Sequence, residues 1–188
     1  MSKTLLIVIS GLSCTGKTTL GKKIAREFRL PFISRDGIKE SLFDALGVND
    51  REWSKKLGRA SYHVLYQLID LLLQANKTFI VESNFQPAFD DERFLDLQKK
   101  YDLAILQFMC KTDGEILFER FKKRSESGER HLGHVDDQTH DEFKELLLKG
   151  ELRALNIGGN VFDIDTTDFE RIDYDSIFRA IRSAINDT

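Results

Sequence analysis

Residues 10–20 read SGLSCTGKTTL, directly after the apolar run TLLIVI at 4–9. Gly11 and Gly16 bracket four residues, and Lys17, Thr18 and Thr19 follow. An apolar run that breaks into small residues and then sets a lysine ahead of an amphipathic segment predicts strand, loop and helix. The spacing is G-x-x-x-x-G-K-[ST]. In such a loop the glycines take backbone angles closed to other residues, so that N–H groups can point inward at phosphate oxygens with a helix N-terminus behind them. On this reading Gly11, Ser13, Cys14, Thr15, Gly16, Lys17, Thr18 and Thr19 cradle a nucleoside triphosphate. Lys17 reaches its β- and γ-phosphates and the Thr18 hydroxyl ligates Mg²⁺. Cys14 reads as a small side chain at a variable loop position, with a redox-sensing thiol as the alternative.

The rest of the chain supplies the frame such a loop requires. Apolar runs at Thr4–Ser10, Pro31–Ser34, Thr78–Glu82, Leu103–Cys110 and Val161–Asp165 predict strands. Most are continuous rather than alternating, as in a parallel sheet covered on both faces. Helical patterns lie between and after them, over Lys17–Phe28, Asp36–Leu46, Arg51–Asn76, Asp91–Lys100, Asp113–Ser125, Gln138–Ala154 and Tyr174–Ile185. In the long third pattern Trp53, Leu57, Ala60, Val64, Leu68 and Leu72 form one stripe. The expected fold is α/β: a P-loop NTPase with a doubly wound, five-stranded parallel sheet, helices on both faces and a small helical lid. A chain of 188 residues suits a single domain, 1–188, with the lid at about 120–140.

Composition narrows the classes of function. The chain is 41% apolar and 31% charged, with a net charge of −3. That balance gives no bulk attraction to nucleic acid or to an anionic membrane. Its two cysteines make no disulfide framework, and no apolar run approaches the ~18 residues of a membrane span. A cytoplasmic setting is expected.

In a doubly wound sheet, ligands bind beyond the carboxyl ends of the strands, so the residues after each strand carry the chemistry. After the second strand, Asp36 either caps the next helix or accepts a proton from an attacking hydroxyl. Arg35 beside it is a candidate for an acceptor anion or a solvated loop charge. After the third strand come Glu82, Ser83, Asn84 and Phe85, the last shaping the loop or walling an acceptor pocket. After the fourth, Arg120 and Arg124 lie four apart on one helical face, and Arg130 follows in a Gly-flanked loop. Mobile cations that arrive on closure stabilise charge spread over a transferring phosphoryl group. His131, His134, Asp136, Asp137 and His140 cluster without the ligand spacing of usual zinc sites. They suit a hydrogen-bonding lid better, in which His131 touches phosphate or acceptor.

A glycine loop followed by an Asp at the end of the second strand resembles the small P-loop kinases: shikimate and gluconate kinases, chloramphenicol phosphotransferase, zeta toxins and 5′-polynucleotide kinases. The stretch SRDGIKESL at 34–42 is especially similar to the last of these. There the Asp base is followed three residues on by an arginine for substrate phosphate; Lys39 holds that position here, keeping the charge but losing the bidentate fork. The resemblance further implies that Glu82 helps hold Mg²⁺ together with Thr18. It implies that Asn84 touches acceptor or phosphate, and that Arg120 and Thr167 lie near the adenine. Arg124 and Arg130 would close on the phosphoryl group, joining Lys17 and Asp36 as catalytic residues.

The expected activity is an ATP- and Mg²⁺-dependent transfer of a phosphoryl group to a hydroxyl of a small molecule: a nucleoside or nucleotide, a sugar or an antibiotic. A 5′-hydroxyl polynucleotide end is the alternative acceptor. A P-loop ATPase or nucleotide switch without any acceptor is the alternative of another class.

Overall fold

The structure is a computed structural model and describes residues 3–128, 130–136 and 139–188. Asp137 and Gln138, named above in the lid cluster and at the start of a helix, lie outside the described residues. Strand β1 (Thr4–Gly11) leads through the glycine loop into α1 (Lys17–Phe28). Then follow β2 (Phe32–Ser34), α2 (Arg35–Leu46), α3 (Arg51–Gln74), β3 (Phe79–Glu82) and α4 (Pro87–Lys100). The chain continues with β4 (Leu103–Lys111), α5 (Gly114–Glu126), α6 (His140–Leu147), β5 (Asn160–Asp165) and α7 (Tyr174–Asn186). Short 3-10 turns sit at Leu132–His134 and Phe169–Arg171.

The five strands form one sheet in the order β2-β3-β1-β4-β5, with every neighbouring pair parallel. The central strand β1 is buried along its whole length, which is why its sequence is apolar throughout. Alternate residues still face opposite layers. Leu6 and Val8 pack with Leu65, Ile69 and Leu73 of α3 and Phe94 of α4. Leu5, Ile7 and Ile9 pack with Leu20 and Ile24 of α1 and Ile177 and Ile181 of α7. Fully burying each such side chain contributes ~1.5–3 kcal/mol. A third cluster joins Leu12 of the glycine loop to Leu117, Phe118 and Phe121 of α5 and Leu147 of α6. That cluster fixes the arginine-bearing helix against the phosphate loop.

Four local expectations need correction. The buried face of α3 is Ser54, Leu57, Ser61, Leu65, Ile69 and Leu73, one residue round from the expected stripe. Counting apolar side chains passed over two serines that are buried because their hydroxyls are satisfied: Ser61 donates to the Gly58 carbonyl at 2.8 Å and Ser54 accepts from Lys39. Helix α4 starts at Pro87, not at Asp91, because proline suits a first helical turn and Asp90 accepts from the Gln86 N–H at 2.7 Å. Helix α6 ends at Leu147 rather than Ala154, where the chain turns through Gly150 at φ 72°. Strand β5 is the outer strand beside β4, and Val161 and Phe162 stay partly exposed there, so its apolar run is not a buried one although helices cover both faces of the sheet.

Candidate active site

Gly16 takes φ 79° as the residue before α1, and a Cβ there would sit 2.5 Å from the Phe169 ring. Both the backbone angle and the close approach call for glycine. Lys17, 6% exposed, donates to the Leu12 carbonyl at 2.7 Å and lies 3.9 Å from Glu82. Thr18 donates from its hydroxyl to Glu82 Oε2 at 3.0 Å, and Ser34 donates to the same oxygen at 2.8 Å. Glu82 ends β3 beside β1, in register with Ile9, so the sheet itself sets this carboxylate against the loop. A buried carboxylate ringed by two hydroxyls is an all-oxygen donor set suited to a hard divalent cation. Ser34 is an addition to the sequence reading. It also accepts from the Gly37 N–H at 3.4 Å, so Ser34 rather than Asp36 caps α2.

Relieved of capping, the Asp36 carboxylate points at arginines. Arg35 Nη2 lies 2.8 Å from Oδ1 and Arg130 Nη2 lies 2.7 Å from Oδ2. Burial raises the pKa of this carboxyl, but Arg35 and Arg130 outweigh it and hold the group well below the usual carboxylate range. Arg130 also reaches Glu40 at 3.1 Å and Asp136 at 3.3 Å, and donates to His134 Nδ1 at 3.0 Å. His134 Nε2 meets Glu40 at 3.0 Å, so with Nδ1 accepting, the ring is neutral with its proton on Nε2. Burial pushes the His134 value down, in keeping with that tautomer. The Leu132–His134 turn docks so closely on Phe43 that a Cβ at Gly133 would overlap the ring.

Two clefts meet at this point. One, of about 270 Å³, is lined by Ser13, Cys14, Gly16, Lys17, Thr18, Thr19, Asp36, Glu82, Asn84, Arg120, Arg124 and Arg130. Most of the residues expected to handle nucleotide, metal and phosphoryl group are therefore brought to one place. The other, of about 390 Å³, lies between α2 and α3 and contains Arg35 and Lys39. Ser13, Asp36, Asn84 and Arg130 line both.

The remaining candidates lie apart from the clefts. Gly11 and Thr15 shape the loop from behind. A Cβ at Gly11 would meet the Cys110 carbonyl at 2.5 Å, and Thr15 donates to the Leu12 carbonyl at 2.9 Å. Thr167 accepts the Asp113 N–H at 3.0 Å. Its carbonyl and that of Thr166 accept from Arg120 at 2.7 and 2.8 Å, while the Arg120 guanidinium stacks 4.1 Å from the Phe169 ring centre. His131 stacks on Phe43 and meets Asp44 at 3.1 Å; it lines neither of these two clefts but a third, open one, beside Thr18, Arg124 and Arg130. Phe85 is fully buried against Phe94, a core residue and not a wall of the acceptor cleft. Burial raises the Cys14 pKa, the opposite of an activated thiol. Among the described residues, no group of three or more His, Cys, Asp or Glu could hold a metal ion.

Some residues around the site escaped the sequence reading although their spacing carries them. Glu40 is one turn from Asp36. Arg51, Lys55 and Arg59 recur every four residues along one face of α3 and line the larger cleft.

The strand order, the glycine loop at the end of β1 and the arginines opposite it define a small P-loop protein of the nucleotide-kinase-like class, a class of phosphotransferases. Residues 6–147 match the family described as AAA domain, and the chain belongs to that family. It is 27% identical over 143 residues to a shikimate kinase of Thermodesulfovibrio yellowstonii, covering 76% of each chain. A crystal structure of a Chloroflexus aurantiacus protein, described provisionally as a kinase, superposes with a TM-score of 0.91 at 36% identity. That match covers 97% of this chain and 99% of the other. A gluconokinase of Sinorhizobium meliloti shares the fold at a TM-score of 0.54 and 17% identity, over 99% of this chain and 97% of that one. No helix among the described residues is long and apolar enough to cross a membrane.

Proposed function

We propose that this protein is an ATP- and Mg²⁺-dependent kinase that moves the γ-phosphoryl group to a hydroxyl of a small-molecule acceptor. The observation that carries the reading is the junction of the two clefts. The cleft at the phosphate loop and the cleft between α2 and α3 open onto the same Asp36 and Arg130. A donor and an acceptor held one in each would meet there in line, and catalysis would be mostly positioning and electrostatics.

In this scheme the loop from Gly11 to Thr19 holds the triphosphate, and Lys17 turns from the Leu12 carbonyl to the phosphates. Thr18 and Glu82 would hold Mg²⁺, which neutralises charge on the β- and γ-phosphate oxygens when bound. Asp36 accepts the hydroxyl hydrogen bond and takes the proton at an Oδ atom late in transfer. A carboxylate with so depressed a pKa is a weak base, and orienting the hydroxyl is its larger task. Arg124 and Arg130 stabilise the charge on the transferring group. Arg130 does so by leaving Asp36, which frees the carboxylate as the phosphoryl group arrives. Arg120, stacked on Phe169, borders the adenine with Thr167. We place the segment at about 120–140 as the lid, the whole chain as one kinase-like unit and the protein in the cytoplasm.

The size of the acceptor cleft, about 390 Å³ between α2 and α3, favours a small molecule over a polynucleotide end. The test is transfer of label from γ-labelled ATP with Mg²⁺ to separate pools of nucleosides and nucleotides, sugars and sugar acids, aminoglycosides, and 5′-hydroxyl oligonucleotides. Label in a small-molecule pool supports the reading. Label in the oligonucleotide pool replaces it with the polynucleotide reading, and label found only as free phosphate replaces it with an ATPase or switch.

A further inference from the structure

We propose that the acceptor carries a planar aromatic or heteroaromatic ring. Phe89, Tyr66 and Tyr62 hold this ring in an annex of the acceptor cleft, between α3 and α4, and Asn84 and Gln86 read its edge. That the occupant is an acceptor rests on the phosphotransferase reading; the ring seat rests on geometry alone.

The annex is a cleft of about 340 Å³ that also includes Asp90 and Arg93. It is continuous with the acceptor cleft: Tyr62, Asn84 and Gln86 line both, and Asn84 lines the phosphate-loop cleft as well. A molecule whose hydroxyl lies at Asp36 can therefore extend past Asn84 into the annex. Either cleft alone is near the lower end of the ~300–1,000 Å³ of ligand pockets, and the two together lie well inside that range.

The two halves differ in chemistry. The acceptor cleft is lined with cations, whereas in the annex the polar groups of the walls are already paired with one another. Tyr66 donates its hydroxyl to Asp90 Oδ1 at 2.7 Å, and the Gln86 N–H donates to Asp90 Oδ2 at 2.7 Å. Ser83 donates to the Tyr62 hydroxyl at 3.1 Å. Asp90 is 4% exposed, so its carboxylate braces the annex rather than meeting an occupant. What stays open is ring surface. Arg93 adds a guanidinium 4.8 Å from the Tyr66 ring centre, which extends the stacking platform.

Phe89 gives the second observation. It stands in the first turn of α4 and is 72% exposed, the most exposed phenylalanine among the described residues. A lone exposed aromatic is ordinary on a protein surface. Phe89 is not alone: it shares a concave site with two tyrosines, and a ring laid there gains offset or edge-to-face contacts as well as burial. An acceptor that stops at Asn84 would leave the Phe89 ring in water. The side chains of Asn84 and Gln86 make no hydrogen bond among the described residues. Each carboxamide offers both a donor and an acceptor, which suits the polar edge of a ring as the aromatic walls suit its face.

The test uses matched pairs that differ in the ring: uridine against ribose, and phenyl β-D-glucoside against methyl β-D-glucoside. Affinity is read by saturation-transfer NMR titration, on protein saturated with Mg²⁺ and a non-hydrolysable ATP analogue so that the phosphate loop is filled. At least one ring-bearing member is expected to bind about tenfold or more tighter than its ring-free partner. Phe89→Ala should cut that preference to about twofold or less with Tm unchanged, and Phe89→Tyr should keep it. A preference in the uridine pair identifies the ring as a nucleobase, and one in the glucoside pair as an aryl group; either supports the seat. No preference in either pair, or one that survives Phe89→Ala, overturns the proposal. So does an equal loss of affinity for both members of a pair in Phe89→Ala. Label transfer from γ-labelled ATP to the same compounds separates the two readings. Transfer at equal kcat/KM to both members of each pair overturns the ring seat and leaves the kinase standing. Ring-dependent binding that is lost in Phe89→Ala, with label found only as free phosphate, supports the seat and overturns the kinase.

Discussion

Arg130 Nη2 lies 2.7 Å from Asp36 Oδ2, so an arginine of the proposed lid touches the carboxylate that would receive the acceptor's proton. The contact spans 94 positions of sequence and is reinforced by Glu40, Asp136 and His134 around the same guanidinium. It ties two parts of the candidate machinery together. A transferring phosphoryl group, with its spread negative charge, would compete with Asp36 for Arg130.

Replacing Asp36 tests that competition from the carboxylate side. Asp36→Asn should lower kcat by ~10²–10⁴-fold, the usual range for a positioned acid–base group, and leave nucleotide affinity nearly unchanged. Because Arg35 and Arg130 keep the Asp36 pKa depressed, the group stays ionised through the whole neutral range. Its pairing therefore stabilises the fold above the ordinary aspartate value near ~3.9, and that stability is lost only as pH falls towards the lower folded value. The wild-type pH profile of kcat/KM, which reports the free enzyme, should show no acidic limb from Asp36 above pH ~4. Near-wild-type turnover of the asparagine variant would remove Asp36 from the chemistry.

The arginine side gives a different signature. Arg130→Met should cost ~10³-fold or more in kcat, as loss of a phosphoryl-stabilising arginine does. It also leaves Asp36 with one arginine partner instead of two, so the aspartate pKa rises. An acidic limb should then move up into the measurable range in this variant alone. A pH–rate profile of Arg130→Met parallel to that of the wild type would show that the two residues are not coupled.

Much of this arrangement is legible in the chain before any coordinates. The glycine loop, Asp36, Glu82 and the arginines of α5 stand at strand ends and on one helical face, and local spacing reports such placements. The partners that hold them are less legible. Ser34 reaches Glu82 across 48 positions, and Phe169 packs on Gly16 from the far end of the sheet. Those contacts come from strand order, which spacing does not encode. The α3 cations were within reach, since Arg51, Lys55 and Arg59 repeat every four residues, but a solvated face shows the same pattern. Only the buried side of α3, displaced by Ser54 and Ser61, shows which way that row points.

Glu82 makes a prediction about metal rather than rate. It meets Thr18 at 3.0 Å and Ser34 at 2.8 Å, and stands 3.9 Å from Lys17. Glu82→Gln keeps the shape and removes the charge. The expected result is a ~10–100-fold higher Mg²⁺ requirement, read by titrating Mg²⁺ against a fluorescent nucleotide. Affinity for the metal-free nucleotide should fall little. An unchanged Mg²⁺ midpoint would mean the carboxylate only braces the loop.

The last prediction concerns Lys39. Burial and then the Arg35 guanidinium lower its pKa to about 8, with Arg51 and Arg130 pushing the same way and Asp36 opposing. Ser54 and the Phe43 ring complete its surroundings and add no counter-charge. Below pH 8 the ammonium is charged in the folded protein. Between pH ~8 and the unfolded lysine value near ~10.4 the unfolded chain holds more protons, and stability rises with pH. The difference in Tm between wild type and Lys39→Met, measured without multivalent anions, should therefore shrink as pH climbs through that window. A difference in Tm that stays constant from about pH 8 to 10 would show that folding does not lower the pKa of Lys39.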